Sequence, residues 1–218
     1  MIAMLTVWGS ARIWQTPEFV QNRARYFNPR ITQILQQRFS SKFMDHITTQ
    51  AWFLIFFLTI NLLWLISLFQ GDQAWRYGLS ILSAVITSML IQISFPVIVP
   101  IRYGDFGLEI PVRQIRFETF SGNSSERING LLYNGLPSNH LGMVIAGLWL
   151  VLKINIIDPW EGWLILSGFF LFLGIIFIFT VLYLGEHFWQ DLVAAFFVYS
   201  FMLLVSSAFV DTLFPMSG

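Results

Sequence analysis

The chain has 218 residues, 56% of them hydrophobic and only 11% charged, with a formal net charge of zero and no cysteine. A soluble domain carries about 25% charged residues, so this chain has too few polar groups to cover itself in water and reads as one membrane unit. The absence of cysteine excludes disulfides and a thiolate nucleophile or metal ligand, and the zero net charge gives no support for a nucleic-acid partner.

Residues 1–8 are apolar but too short for a secretory signal, and no small-residue cleavage site follows them. Residues 1–50 form a basic arm in which Arg12, Arg23, Arg25, Arg30, Arg38 and Lys42 face only Glu18 and Asp45. Ile31, Ile34, Leu35 and Phe39 recur there at helical spacing, which predicts a helix lying in the membrane interface. A solvated basic arm without a specific role fits the same residues. Apolar runs at 51–69, 79–99, 141–157, 163–184 and 192–214 then predict five membrane spans. Short turns join them, except for one long polar connection, 101–136, which carries Arg102, Arg113, Arg116 and Arg127. A connection of that length is usually functional or disordered. The expected fold is an all-α integral membrane bundle of five transmembrane helices, or six if the arm inserts, divided into the arm 1–50 and a helical domain 51–218. The 23 Phe and nine Trp suit lipid-facing surfaces and interfacial belts.

Five spans fix sidedness. The arm, the long connection and the turn at 185–190 lie on one face; the turns at 70–78 and 158–162 and the C-terminus lie on the other. Arg102, Ser138, His140, His187 and Asp191 therefore all reach the same membrane face. Each alone has an ordinary reading: an interfacial histidine, an N-cap serine, a snorkelling arginine, a first-turn aspartate. Their convergence in a chain so poor in polar residues, with only three histidines, makes the site functional by default. No internal repeat is visible, and no span is broken midway in the manner of a channel or transporter site.

With no cysteine and no carboxylate cluster, these residues make a poor metal site, and no cofactor is called for. They suit phosphoryl transfer. A neutral imidazole can attack phosphorus, a carboxylate on its other nitrogen fixes the tautomer, and a second histidine can protonate the leaving oxygen. His187 and Asp191 stand four apart, neighbours if the stretch is helical. Arg102 can neutralise phosphate oxygens, and the helix start at Ser138 is an anion site.

Pro137-Ser138-Asn139-His140 resembles the P-S-G-H motif of the type-2 phosphatidic acid phosphatase superfamily. Tyr183-Leu184-Gly185-Glu186-His187-Phe188-Trp189-Gln190-Asp191 resembles its third motif, Y-L-G-x-H-Y-x-x-D, and the stretch from Phe95-Pro96 to Arg102 resembles the degenerate first motif of its inositol phosphorylceramide synthase branch. The likeness covers about residues 80–205. It implies His187 as nucleophile, Asp191 as its orienting partner and His140 as general acid. It also implies phosphate or substrate binding by Arg102, Ser138 and Asn139, joined by Arg113 and Arg116 if the connection folds back. Four positions depart from the phosphatase pattern: Phe95 replaces a Lys, Thr180-Val181 replace Ser-Arg, and Asn139 replaces Gly. Two lost cations favour a phosphodiester monoanion over a phosphomonoester dianion. The expected activity is thus lipid phosphotransfer through a phosphohistidine, from a phospholipid to a lipid or alcohol acceptor. The alternatives are hydrolysis of phosphatidate-like or isoprenoid phosphates, and a non-catalytic lipid-binding relative. Every Lys and Arg except Arg76 and Lys153 falls on the active-site face, which the positive-inside rule would make cytoplasmic. The resembling enzymes mostly work on the opposite side, so orientation stays open.

Overall fold

The computed structural model describes residues 27, 29–68, 74–94, 97, 99–100, 112–113, 115, 136–153 and 160–214. Six helices follow in chain order: α1 (Arg30–Phe39), α2 (Lys42–Leu68), α3 (Ala74–Ser94), α4 (Asn139–Lys153), α5 (Trp160–Leu184) and α6 (Trp189–Leu213). Four of them, α2, α3, α5 and α6, are long and apolar enough to cross a membrane. The expected third span is the shorter helix α4, with 15 residues against 25 in α5 and in α6. At a rise of 1.5 Å per residue, α5 and α6 run for about 37 Å and α4 for about 22 Å, against a hydrocarbon core of about 30 Å.

The short helix is the centre of the bundle. It packs on α2, α3, α5 and α6, while α3 lies along α6 and α2 along α5. Glycine makes that central position available. A Cβ added to Gly142 would sit 2.1 Å from the Tyr199 ring, and one added to Gly147 would sit 2.2 Å from the Phe170 ring. Both rings are fully buried and join Ala146, Leu150 and Leu203 in the core. Close approach through small residues is how helices gain packing in lipid, where apolar burial alone supplies no drive. The outer faces carry exposed Phe57, Leu90, Ile165, Ile175, Phe197 and Phe201, a surface for hydrocarbon.

Helix α2 begins at Lys42, well before the apolar run expected from residue 51. In its polar first turns Thr48 and Thr49 each donate a 2.7 Å hydrogen bond back, to the carbonyls of Met44 and Asp45, which satisfies their hydroxyls within the helix. The Ser41 hydroxyl accepts from the Met44 amide at 3.1 Å and caps the start. In α1, Thr32 and Gln36 face inward while Ile31, Ile34 and Phe39 are exposed. That is the reverse of a water-soluble helix and suits one lying at a membrane surface.

Candidate active site

The site is built on a helix ending. Helix α5 closes with Gly185 at φ 72°, a left-handed conformation that glycine adopts without a side-chain clash. The Gly185 amide donates to the Leu182 carbonyl at 3.3 Å and the Glu186 amide to the Val181 carbonyl at 3.0 Å. These two bonds form a Schellman stop, and they reverse the chain so that His187 turns back into the bundle. Phe188 is extended and α6 begins immediately after it. Asp191, in the first turn of α6, accepts the Phe188 amide on Oδ2 at 2.8 Å, so its carboxylate caps the new helix and is fixed in place.

The same Oδ2 lies 3.4 Å from His187 Nδ1. On the other side of the ring, His187 Nε2 faces His140 Nδ1, also at 3.4 Å. Asp191, His187 and His140 therefore stand in line, with a carboxylate on one nitrogen of the central imidazole and a second imidazole on the other. Asp191 is fully buried and His187 is 3% exposed, whereas His140 is only partly buried. The His140 ring stands between Trp52 of α2 and Phe177 of α5, with ring centroids 5.4 and 5.9 Å away. In such apolar surroundings the Asp191 charge acts on His187 more strongly than it would in water. Asp191 Oδ1 is buried without a hydrogen-bond partner among the described residues.

Ser138 and Asn139 hold His140 in register rather than standing free. The Ser138 amide donates to the Asp191 carbonyl at 3.1 Å, tying the start of α4 to the first turn of α6. The Ser138 hydroxyl accepts from the Leu141 amide at 3.3 Å, an N-cap, and the residue is wholly buried. Asn139 accepts hydrogen bonds from the hydroxyls of Ser88 and Tyr199, the latter at 3.0 Å, and donates to Gln92 Oε1 at 3.2 Å. Gln92 in turn donates to the Pro137 carbonyl at 2.7 Å. This chain of polar groups links α3, α4 and α6 within the bundle, and it occupies the Asn139 amide that sequence reasoning assigned to substrate.

Arg113 is held a short way off. Its guanidinium donates to Asp45 Oδ2 at 2.8 Å and to the Ser40 hydroxyl at 2.9 Å. The other oxygen of Asp45 accepts the Tyr183 hydroxyl at 2.5 Å. The Gln36 amide bridges the same pieces, accepting the Arg113 amide at 2.9 Å and donating to the Tyr183 carbonyl at 2.8 Å. These contacts put the basic arm, the long connection and the end of α5 on one face. Arg102 and Arg116, the other expected phosphate ligands, lie outside the described residues, as do residues 1–26 of the arm.

The structure thus brings together His187, His140, Asp191 and Ser138, and gives Asn139 and Arg113 other partners. Sequence reasoning missed Gln36, Asp45, Gln92 and the aromatic walls Trp52 and Phe177. Gln92 carried a signal, an amide deep in an apolar span, where an unpaired polar group is costly. Trp52 and Phe177 carried none among so many aromatic residues. Among the described residues no group of three or more His, Cys, Asp or Glu is placed to hold a metal ion.

Comparison with protein families finds that residues 73–215 match the model described as PAP2 superfamily, a stretch that contains every residue of the triad. No curated protein and no solved structure matches the chain. Members of that superfamily are integral membrane phosphatases and phosphotransferases that act on phosphate-bearing, lipid-like substrates.

Proposed function

The chain belongs to the PAP2 superfamily, and on that premise we propose that it is a lipid phosphotransferase working through a phosphohistidine on His187. The observation that carries this reading is the line of Asp191, His187 and His140, with 3.4 Å at each link. In the first step His187 Nε2 attacks phosphorus, the bond to the lipid alcohol breaks, and that oxygen takes a proton from His140. The phospho-imidazolium keeps its Nδ1 proton against Asp191, whose charge stabilises the cation. In the second step an acceptor hydroxyl attacks phosphorus, gives its proton to His140, and releases His187 neutral. The two rings stand at hydrogen-bond distance from each other, so a phosphoryl group enters only if one of them moves. His140 is the more exposed of the two.

Transfer is preferred to hydrolysis because of Val181. It stands where the resembling phosphatase motif carries an arginine, and it is fully buried beside Leu173, Phe177 and Leu192. That position supplies no cation for a phosphomonoester dianion, and a phosphodiester monoanion needs less positive charge. The phosphatase reading keeps the same triad with water as acceptor.

The test is His187→Ala, assayed on dioleoyl phosphatidylinositol and on dioleoyl phosphatidate, with and without an added alcohol or ceramide acceptor. Activity should fall at least 10³-fold on whichever substrate the native protein turns over, and acid-labile phosphate should be trappable on native protein only. Product that forms only when the acceptor is present makes the protein a transferase, and product formed with water alone makes it a phosphatase. Undiminished turnover in the variant rules out the phosphohistidine route, and lipid binding without any turnover by native protein makes it a non-catalytic relative.

A further inference from the structure

Helix α2 runs ahead of residues 73–215, the stretch that matches the family, yet it supplies a wall of the site. It packs on both α4 and α5, the helix that carries His140 and the helix that leads to His187. Trp52 is its residue at that meeting point. The Trp52 ring lies 5.4 Å from the His140 ring at 58°, and the Phe177 ring lies 5.9 Å from it at 40°. Both separations fall within the ~4.5–7 Å at which aromatic rings attract one another.

We propose that Trp52 is a positioning residue for the proton transfers: it holds the His140 ring where Nδ1 reaches the oxygen leaving phosphorus. The inference rests on the reading of His187 as nucleophile and His140 as acid. Three observations carry it. First, the two histidines are placed by different means. His187 follows the Gly185 stop and lies 3.4 Å from the buried Asp191 carboxylate. The His140 ring is bracketed by aromatic rings, and its place follows theirs. Second, Trp52 is itself held. It packs against two buried clusters, one with Ile55, Leu141 and Phe177, the other with Ile115, Tyr183 and Leu184. The Phe53 ring also meets it edge-on at 4.8 Å. An indole held in this way is a fixed wall and does not drift with His140. Third, His140 Nδ1 and His187 Nε2 stand 3.4 Å apart, and a phosphoryl group needs room between them. A ring that gives way must return to within about 2.6–3.2 Å of the leaving oxygen to protonate it. Walls on two helices limit that excursion, where Phe177 alone would bound it on one side. Phe177 is fully buried, so replacing it opens the core; Trp52 is half-buried and can be replaced with less loss of packing.

The test compares two leaving groups. Phosphorylation of His187 is followed in a single turnover with dioleoyl phosphatidylinositol or dioleoyl phosphatidate, whichever native protein accepts. It is followed again with the same phosphate group esterified to a decyl-substituted nitrophenol, which departs without needing a proton. Trp52→Leu should slow phosphorylation by the lipid at least tenfold, a part of the ~10²–10⁴-fold that a placed acid contributes. On the nitrophenyl ester its rate should stay within about threefold of native. Trp52→Phe keeps a ring and should stay within about threefold on both esters. Trp52→Met, which keeps more length, takes the place of the leucine variant if that one does not fold. Trp149→Leu removes an indole that packs on Tyr77, about 13 Å further along α4 than His140, and should leave the ratio of the two rates unchanged. In His140→Ala protein, adding Trp52→Leu should cost no more than about twofold, because the ring that Trp52 places is gone. Equal slowing on both esters, an additive loss with His140→Ala, or no slowing on the lipid overturns the proposal while the native protein remains active. Native protein that forms no phosphohistidine with either ester overturns the catalytic reading, and the proposal with it.

Discussion

Asp191 and Asp45 lie toward the same end of the bundle, each in the first turn of its helix, and each holds pieces of chain together, but their oxygens are used differently. Both oxygens of Asp45 are taken by strong donors, the Tyr183 hydroxyl and the Arg113 guanidinium. Its side chain is 13% exposed and that of Arg113 is 42% exposed. Asp191 is completely buried, spends one oxygen on the Phe188 amide and His187, and leaves the other without a hydrogen bond among the described residues. A carboxylate neutralised by a cation and a phenol has done its electrostatic work and serves as a clasp. One buried beside a neutral imidazole gains most when that imidazole becomes charged, which is the demand a phosphohistidine makes. Substitutions that treat the two aspartates alike should therefore give opposite results, the one in rate and the other in stability.

The largest contrast is expected from Asp191→Asn. The amide oxygen still accepts the Phe188 amide, so α6 keeps its cap and stability changes by no more than about 1 kcal/mol. The charge that stabilises the His187 cation is gone, and the neutral amide oxygen left facing Nδ1 is a weaker acceptor for its proton. Turnover should fall by about 10²–10⁴-fold, read as single-turnover formation of the phosphorylated protein. A rate within threefold of native would reduce Asp191 to a capping residue and remove the basis of the comparison.

Both aspartates were equally visible in the sequence, yet only one was identified. His187-x-x-x-Asp191 has a helical spacing that predicts contact, and the spans and the family likeness supplied a site for it. The contact itself is made across the α5–α6 turn, with Asp191 in the first turn of α6 and His187 just ahead of that helix. Asp45 pairs with residues 68 and 138 positions away, which no periodicity discloses. Four of the five expected spans followed from composition, because a long apolar run has few other uses. The short, central place of α4 did not: its 15 residues are apolar like the rest, and only the fit of Gly142 and Gly147 against two rings brings it inside. Asn139 was read as a substrate ligand from its place beside His140. Ser88, Gln92 and Tyr199, spread over two other helices, take its amide instead.

An intermediate effect is expected from Gly185→Ala, which acts on the turn that aims His187 at Asp191. At φ 72° an alanine Cβ crowds the following carbonyl, at a cost of about 1–2 kcal/mol. The strain is relieved by unwinding the Schellman stop, which displaces His187 before it loosens α6. The expected result is a roughly tenfold loss in turnover, with a drop of a few degrees in the unfolding midpoint in detergent. A loss of stability with no loss of rate would show that the line of three side chains tolerates a shifted turn.

The smallest effects belong to the clasp. Tyr183→Phe deletes one donor to Asp45 and leaves the Arg113 pair in place. A partly exposed hydrogen bond to a charged group contributes about 1–2 kcal/mol. Asp45→Asn weakens both bonds at once and leaves Arg113 without its countercharge. The half-exposed guanidinium can turn to water, which holds the cost to about 1–3 kcal/mol. Neither change touches the Asp191–His187–His140 line, so turnover per folded molecule should stay within about threefold of native while the unfolding midpoint falls, more for Asp45→Asn than for Tyr183→Phe. High salt should narrow the gap between native protein and Asp45→Asn, because the pair reaches the surface and is screened there. A hundredfold loss of rate in Tyr183→Phe, with its midpoint unmoved, would overturn the assignment and place the phenol in the chemistry, making Asp45 a second orienting carboxylate.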